Sequence, residues 1–311
     1  MFRIVMTTTA LAAVLALAPV AAMAQHAHGA PAAAHGHHHA AFESERLHVR
    51  VDGDGPRDII LIPGLSSSPE VWDSTVAHLG AGWKVHRIHV QGFAGAPAKG
   101  NAEGDVAAPV AEEIARYIRE NGLTRPVVVG HSMGGTMGMM LAARHPDLVG
   151  KLMVVDMVPF MGAMFGAPGV TAEQVRPIAD QIHAGMSAGP DEAYHAQAAA
   201  AVTGMINTES LRAGPLEDAR TSDRRVSANA YRELIVTDLR PELPKITAPT
   251  EVVYVKFNDP RMTPEITDMV YQSSFSALPA AKLKRIDDAA HFVMFDQPAA
   301  FFAELDAFIA P

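Results

Sequence analysis

Apolar positions along this chain recur with two different periods. Short apolar runs alternate with longer stretches in which apolar side chains return every three or four residues. The short runs predict strands at residues 47–51, 58–62, 84–90, 126–129 and 151–155. The longer stretches predict helices at residues 70–79, 105–120 and 136–144. Asp52-Gly53-Asp54-Gly55 lies between the first two strands and predicts a hairpin.

The same alternation returns at the end of the chain, with strands predicted at residues 251–257 and 282–286 and helices at 264–274 and 298–309. Between residues 157 and 240 it lapses into sequence rich in Met, Ala, Gly and Pro, with helical stretches only. Alternating strands and helices pack as a mostly parallel sheet covered by helices on both faces. We therefore predict an α/β core at residues 45–156 and 241–311, with a helical cap at 157–240.

The first 24 residues have the pattern of a secretory signal peptide. Arg3 precedes an apolar run from residue 10 to residue 22, and Ala22-Met23-Ala24 is a small-x-small cleavage site. Cleavage after Ala24 predicts a periplasmic or secreted protein with no stable membrane anchor, and an uncleaved anchor is the alternative. The chain has no cysteine, so it has no disulfide in that oxidising compartment.

Residues 25–44 form an Ala- and His-rich segment that we predict to be a disordered linker. Its six histidines are His26, His28, His35, His37, His38 and His39. Neutral imidazoles at this density bind transition metals weakly. We interpret the segment as a solvated spacer with adventitious metal affinity, and we predict neither a catalytic metal nor a cofactor.

The charge of the chain limits the kinds of partner that it can bind. A formal net charge of −9 and the absence of a basic stripe exclude a nucleic-acid partner. With 49% hydrophobic residues the chain can bury a large core. We expect a small-molecule substrate, and the pattern carries no prediction of oligomeric state.

The most informative stretch is Gly130-His131-Ser132-Met133-Gly134-Gly135, which lies between a predicted strand and a predicted helix. A serine that projects from such a turn needs a strained backbone, and residues two before and two after it must be small. The pattern predicts Ser132 as a nucleophile. The backbone N–H of Met133 would face a developing oxyanion, and a second N–H is predicted at Leu65, after Gly64.

The chain resembles the α/β-hydrolase superfamily, specifically its capped esterase- and lipase-like members, over residues 46–311. Four stretches carry the resemblance: Ile62-Pro63-Gly64-Leu65, the serine turn, Phe257-Asn258-Asp259-Pro260 and Ala290-His291-Phe292. The resemblance implies that Ser132 is the nucleophile, His291 the base and Asp259 the acid that orients it. Asp156, at the end of the preceding strand, is the alternative acid, since some family members place it there.

The implied activity is cofactor-independent hydrolysis of a carboxylic ester, or of a lactone, through an acyl-enzyme. The apolar start of the cap predicts a substrate pocket lined by Phe160, Met161 and Met164, together with Phe292 beside the base.

Two other functions stay open. An aminopeptidase or amidase would need acidic side chains in the cap, and the sequence offers Asp191-Glu192 and Glu217-Asp218. The other alternative is a ligand-binding protein on the same fold with vestigial catalysis.

Overall fold

The computed structural model describes residues 40–167, 169–256, 259 and 261–311. The predicted signal peptide and all six histidines of the predicted linker lie outside these residues, so both interpretations stay predictions. None of the helices within the described ranges combines the length and the apolar character that a membrane span needs.

Eight strands of the described chain form one sheet in the order β1-β2-β4-β3-β5-β6-β7-β8. Their bounds are β1 Ala40–Glu43, β2 Leu47–Asp52, β3 Arg57–Ile62, β4 Trp83–Val90, β5 Val127–His131, β6 Lys151–Val155, β7 Thr250–Tyr254 and β8 Lys282–Arg285. The strands from β4 to β8 in this order are parallel, whereas β1 and β2 pair antiparallel at one edge. The prediction of a mostly parallel sheet is confirmed.

The predicted hairpin is wrong. β2 pairs with β4, with Val49 opposite Ile88, and β3 lies on the other side of β4. Both edges of β3 are occupied by the parallel strands β4 and β5, so β3 has no free edge for β2. The turn at Gly53 instead passes over the start of β4, since a Cβ on Gly53 would lie 2.5 Å from the Trp83 carbonyl oxygen.

The first strand falls inside the predicted linker. In β1, Phe42 is opposite Val49, and its ring centroid lies 5.1 Å from that of Tyr117. Burying this ring against the sheet favours order over a solvated linker. Ala40–Glu43, which we predicted to be linker, therefore belongs to the sheet.

Helices cover both faces of the sheet, and successive residues of β3 belong to opposite faces. Ile60 and Ile62 join the core under the helices at residues 107–120 and 133–144, whereas Ile59 and Leu61 join the core under the helices at residues 73–79 and 298–309. The α-helices are α1 Asp73–Leu79, α2 Ala107–Glu120, α3 Met133–Arg144, α4 Ala172–Ala188, α5 Asp191–Gly204, α6 Ala213–Thr221, α7 Arg224–Val236, α8 Pro264–Ser274, α9 Val293–Asp296 and α10 Pro298–Ile309. Short 3₁₀ helices occupy Pro69–Trp72, Gly80–Gly82, Lys99–Asn101, Met161–Phe165, Glu209–Leu211 and Leu243–Lys245.

The described residues between β6 and β7 form helices and no strand. We call residues 161–245 the helical insertion. It lies over the loops that follow β3 and β4: the Asp223 N–H donates to the Gly92 carbonyl at 2.7 Å, and the Ala94 N–H donates to Ser222 Oγ at 2.8 Å. These loops are at the carboxyl ends of parallel strands, where open α/β sheets bind their ligands.

Candidate active site

The backbone turns sharply at Ser132, between the end of β5 and the first residue of α3. Ser132 has φ 55° and ψ −123°, a conformation that L residues rarely adopt. Its N–H donates to the Val155 carbonyl on the neighbouring strand at 2.9 Å. The side chain is partly exposed, so a ligand can reach the hydroxyl.

Two glycines make this turn sterically feasible. A Cβ on Gly130 would lie 2.1 Å from the Gly134 carbonyl oxygen, and a Cβ on Gly134 would lie 2.2 Å from the Ile62 carbonyl oxygen. These are backbone atoms held by two strands and a helix, so they cannot move aside. The spacing in the sequence therefore follows from the close approach of α3 to β5 and β3.

His291 lies in the loop between β8 and α9, and its Nδ1 donates to Asp156 Oδ2 at 2.6 Å. The Asp156 side chain is 7% exposed, whereas that of His291 is 22% exposed. Asp156 directly follows β6, just as Ser132 directly follows β5. Because His131 of β5 is opposite Val155 of β6, Ser132 and Asp156 occupy the next position on adjacent strands.

Asp259, which we predicted as the partner of His291, lies elsewhere. Its carboxylate accepts hydrogen bonds from the Arg261 guanidinium, with Nη2 2.6 Å from Oδ2, and from the Arg261 N–H. This side-chain hydrogen bond with Arg261 lowers the pKa of Asp259 to about 2. Asp259 is five residues beyond the end of β7, in a turn closed by its own neighbour. The hydrogen bond that we assigned to Asp259 is made by Asp156.

The second oxygen of the Asp156 carboxylate is also occupied. Oδ1 accepts from the Tyr271 hydroxyl at 2.9 Å and from the Val255 N–H at 3.2 Å. Nothing in the periodicity of α8 distinguishes Tyr271 from an ordinary core residue, so the sequence carried no signal for its contact with Asp156.

His131 precedes the serine but faces the backbone of the His291 loop. Its Nε2 donates to the His291 carbonyl oxygen at 2.9 Å, which places the proton of the neutral ring on Nε2. Complete burial, with His291 nearby, lowers the pKa of His131 well below its ordinary value. The ring centroids of His131 and His291 are 4.6 Å apart, so His131 holds the His291 loop against the serine turn.

The two backbone groups predicted to bind an oxyanion flank Ser132. Met133 is the first residue of α3, and the first N–H groups of a helix have no acceptor within it. The loop before Leu65 touches the serine, since a Cβ on Gly64 would lie 3.1 Å from Ser132 Cβ.

The helical insertion holds the Leu65 loop in place. Asp218 Oδ2 accepts from both the N–H and the hydroxyl of Ser68, at 2.9 and 2.7 Å. The Ser66 hydroxyl lies 2.8 Å from that of Ser227, which itself donates to the Asp223 carbonyl. Ser66 is therefore the donor of the pair. Ser66 has a positive φ of 54°, and these contacts stabilise that conformation.

The four residues predicted to line an apolar pocket have different surroundings. Phe160 is 2% exposed and packs in a small core of the helical insertion, with the Arg240 guanidinium 4.6 Å above its ring. Phe292 is buried in the core under α1 and α10, 4.7 Å from the His131 ring. Met161 is partly buried, and Met164 is 38% exposed. Phe160 and Phe292 are core residues, so this prediction is corrected for both.

A cleft of about 530 Å³, with both polar and apolar lining, lies beside the His291 loop. Its lining includes Lys256, Asp287, Asp288 and Ala290, the residue before His291. The described residues contain no cluster of three or more His, Cys, Asp or Glu side chains suited to a metal ion.

Asp296 of α9 holds the His291 loop at Ala290, the residue before His291. Its carboxylate accepts from the N–H groups of Ala290, Asn207 and Thr208 at 2.8–3.0 Å. Burial raises the pKa of Asp296, but these three backbone hydrogen bonds outweigh it, and the pKa lies below its ordinary value. Asp296 thereby ties the histidine loop to the helical insertion.

We expect Asp296→Asn to lower the free energy of unfolding by about 1–2 kcal/mol at neutral pH, because hydrogen bonds to a charged acceptor are lost. A carboxyl group whose pKa is lowered by folding stabilises the protein at pH values above its pKa in the unfolded chain, which is about 3.9. This stabilisation is lost as the pH falls through the lower pKa of the folded state. The difference between wild type and variant should therefore close below that pH in denaturant titrations. Asp54→Asn, at an exposed turn, is the control; a pH-independent difference would contradict this role.

Comparison with known proteins identifies the family. A model of the Alpha/beta hydrolase family matches residues 59–305. Pimeloyl-(acyl-carrier protein) methyl ester esterase of Vibrio vulnificus strain YJ016 is 23% identical over 265 residues, which cover 85% of this chain and 98% of that protein.

Two solved structures share the fold. A hydrolase from Pseudomonas aeruginosa PA01 has a TM-score of 0.69 and 19% identity, covering 85% of this chain and 94% of its own. The enol-lactonase from Burkholderia xenovorans LB400 has a TM-score of 0.65 and 23% identity, covering 85% and 96%. This chain belongs to the alpha/beta hydrolase family.

Proposed function

We propose that this chain is a serine hydrolase that cleaves a carboxylic ester or a lactone, with Ser132, His291 and Asp156 as its catalytic triad. The observation that carries the proposal is the 2.6 Å hydrogen bond from His291 Nδ1 to Asp156 Oδ2 beside the strained serine turn. A serine, a base and a buried carboxylate that orients the base are the groups that acyl transfer needs.

Each group has a defined step in this mechanism. Ser132 Oγ attacks the carbonyl carbon while His291 Nε2 takes its proton. Asp156 accepts the Nδ1–H, which leaves Nε2 free as the base and stabilises the imidazolium. The N–H groups of Met133 and Leu65 stabilise the oxyanion.

Collapse of the tetrahedral intermediate then breaks the bond to the alcohol, which takes the proton from His291 and leaves the acyl group on Ser132 Oγ. A water activated by His291 next attacks this acyl-enzyme, and the acid is released as Ser132 takes the proton back. With a lactone substrate, the leaving alcohol stays attached to the acyl group.

The relatives support an oxygen ester as the substrate, since they include methyl ester esterases and an enol-lactonase. Three of the four acidic side chains considered for binding a substrate amine are engaged elsewhere. Asp191 pairs with Arg224, Glu217 pairs with Arg220, and Asp218 binds Ser68. This favours an ester over an aminopeptidase substrate.

Covalent labelling tests the proposal directly. A fluorophosphonate should phosphonylate Ser132 Oγ, with loss of fluoride, and abolish hydrolysis of a p-nitrophenyl ester series at one equivalent. Peptide mass spectrometry should place the label on the Ser132 peptide and not on Ser66, Ser67 or Ser68. Heat-unfolded protein is the control and should not react. Ester hydrolysis by folded protein that persists without label on Ser132 would overturn the assignment.

A further inference from the structure

The Asp156 carboxylate is buried, and its Oδ2 accepts the hydrogen bond from His291. The catalytic role proposed for Asp156 uses this oxygen and leaves Oδ1 to be explained. A buried carboxylate is costly unless each oxygen finds donors. For Oδ1 the donors are the Val255 N–H at 3.2 Å and the Tyr271 hydroxyl at 2.9 Å. The shorter of these two hydrogen bonds comes from a side chain, so mutation can remove it.

The Tyr271 hydroxyl is a fixed donor. The side chain is fully buried in α8, and its ring stacks on that of Tyr254, with centroids 4.0 Å apart and planes 20° apart. Burial, together with the neighbouring Asp156 carboxylate, raises the pKa of Tyr271 well above its ordinary value, so the hydroxyl keeps its proton. An ionised carboxylate can only accept, so the hydroxyl hydrogen points at Oδ1.

The stack that holds Tyr271 is itself anchored. The Tyr254 hydroxyl donates to Asp268 Oδ1 at 2.8 Å, and Asp268 also pairs with Arg285 of β8. This arrangement joins α8, β7 and β8 below the histidine loop. It leaves Tyr271 little freedom to turn away from Asp156.

We propose that Tyr271 is a positioning residue, which holds the Asp156 carboxylate so that Oδ2 faces His291 Nδ1. This inference rests on the catalytic role proposed for Asp156. Without the hydroxyl, the Val255 N–H is the donor to Oδ1 that remains among the described residues, and the carboxylate can rotate about its Cβ–Cγ bond. The orientation of the His291 ring then becomes less well defined, whereas the binding of substrate at Ser132 is unaffected.

We expect Tyr271→Phe to lower kcat about 10-fold with little change in KM, as for other residues that orient a catalytic group. The pH–kcat/KM profile should also differ from that of wild type, because the Tyr271 hydroxyl donates to the carboxylate that orients the base. Other titratable groups near the pair are His131, which burial keeps neutral, and Tyr254.

Tyr254→Phe is the matched control. It removes the hydroxyl of the stacked partner, which binds Asp268, while keeping the ring. We expect it to keep the wild-type pH profile. Thermal unfolding of both variants separates loss of stability from loss of orientation. A low-field proton NMR signal from His291 Nδ1–H should shift in Tyr271→Phe only, which gives a readout that does not depend on turnover.

The outcomes separate the two proposals. If the fluorophosphonate fails to label Ser132, the proposed function is wrong. If Ser132 is labelled but Tyr271→Phe has the wild-type kcat, pH profile and Nδ1–H signal, only the positioning role is overturned. Equal shifts in both tyrosine variants would also overturn it, since they would indicate a general effect of the stack.

Discussion

Asp156→Asn is expected to lower kcat for ester hydrolysis by about 10⁴-fold, with KM little changed. The asparagine has the shape of the aspartate, and its oxygen can still accept from Tyr271 and Val255. Its amide group would then face His291 Nδ1 as a donor. The imidazole would turn to the tautomer that carries its proton on Nε2, and it could not take the proton of Ser132. Steady-state kinetics on the best ester of a p-nitrophenyl series, at several pH values, measures the loss.

Asp259→Asn is the matched control for this experiment. It removes a carboxylate that binds Arg261 in a partly exposed turn, and surface pairs of this kind contribute little to stability. We expect wild-type kinetics within a factor of about two. The opposite result, with loss in Asp259→Asn and near-full activity in Asp156→Asn, would return the acid role to Asp259. Circular dichroism on both variants guards against a folding defect, since Asp156 is buried.

The layers of the fold follow from local pattern. The apolar run in β5, which includes Val128 and Val129, predicts a strand, and the residues of α3 after it predict a helix. The helix packs against the strand. Pairing between strands is not local. The hairpin was mispredicted because β4, 21 residues beyond β3, inserts between β2 and β3 and pairs with both. Nothing in the sequences of β2 and β3 indicates that a later strand lies between them.

In the candidate site, too, local features were predictable from the sequence and contacts between distant strands were not. Ser132 was predictable because steric constraints within five residues require glycine on both sides of it. The partner of His291 depends instead on the register of β6 against β5, which puts Asp156 beside Ser132. Two acidic residues at strand ends looked alike in the sequence. The predicted strand at residues 251–257 put Asp259 two residues after its end, whereas β7 ends at Tyr254, five residues before Asp259.

The pocket prediction fails for Phe160 and Phe292, which are core residues, and stays a prediction for Met161 and Met164. A run of Met and Phe can line a cavity or fill a core, and the sequence pattern is the same. Phe160 fills the core that joins the helical insertion together, with Val175, Ala179 and Ile235 around it. The cleft beside the His291 loop is lined by loop residues and by Pro264 at the start of α8, and no apolar periodicity marks these positions.

Gly134→Ala is expected to disrupt the serine turn and to lower the free energy of unfolding by about 3–5 kcal/mol. The new Cβ would lie 2.2 Å from the Ile62 carbonyl oxygen and 2.7 Å from that of Pro63. To relieve these contacts, α3 must move away from β3, and it carries the Met133 N–H with it. Any protein that still folds should therefore hydrolyse esters far more slowly and react slowly with a fluorophosphonate.

Gly185→Ala provides the control, because it makes the same substitution in a helix where geometry allows it. Gly185 lies in α4, is exposed, and has nothing within 4 Å of the added Cβ. Alanine is the better helix former, so we expect a gain of about 0.5–1 kcal/mol and unchanged activity. Urea titrations of both variants compare the two effects. Wild-type stability and activity in Gly134→Ala would mean that α3 packs less closely on β3 than the 2.2 Å contact requires, and the oxyanion role of Met133 would then lose its structural basis.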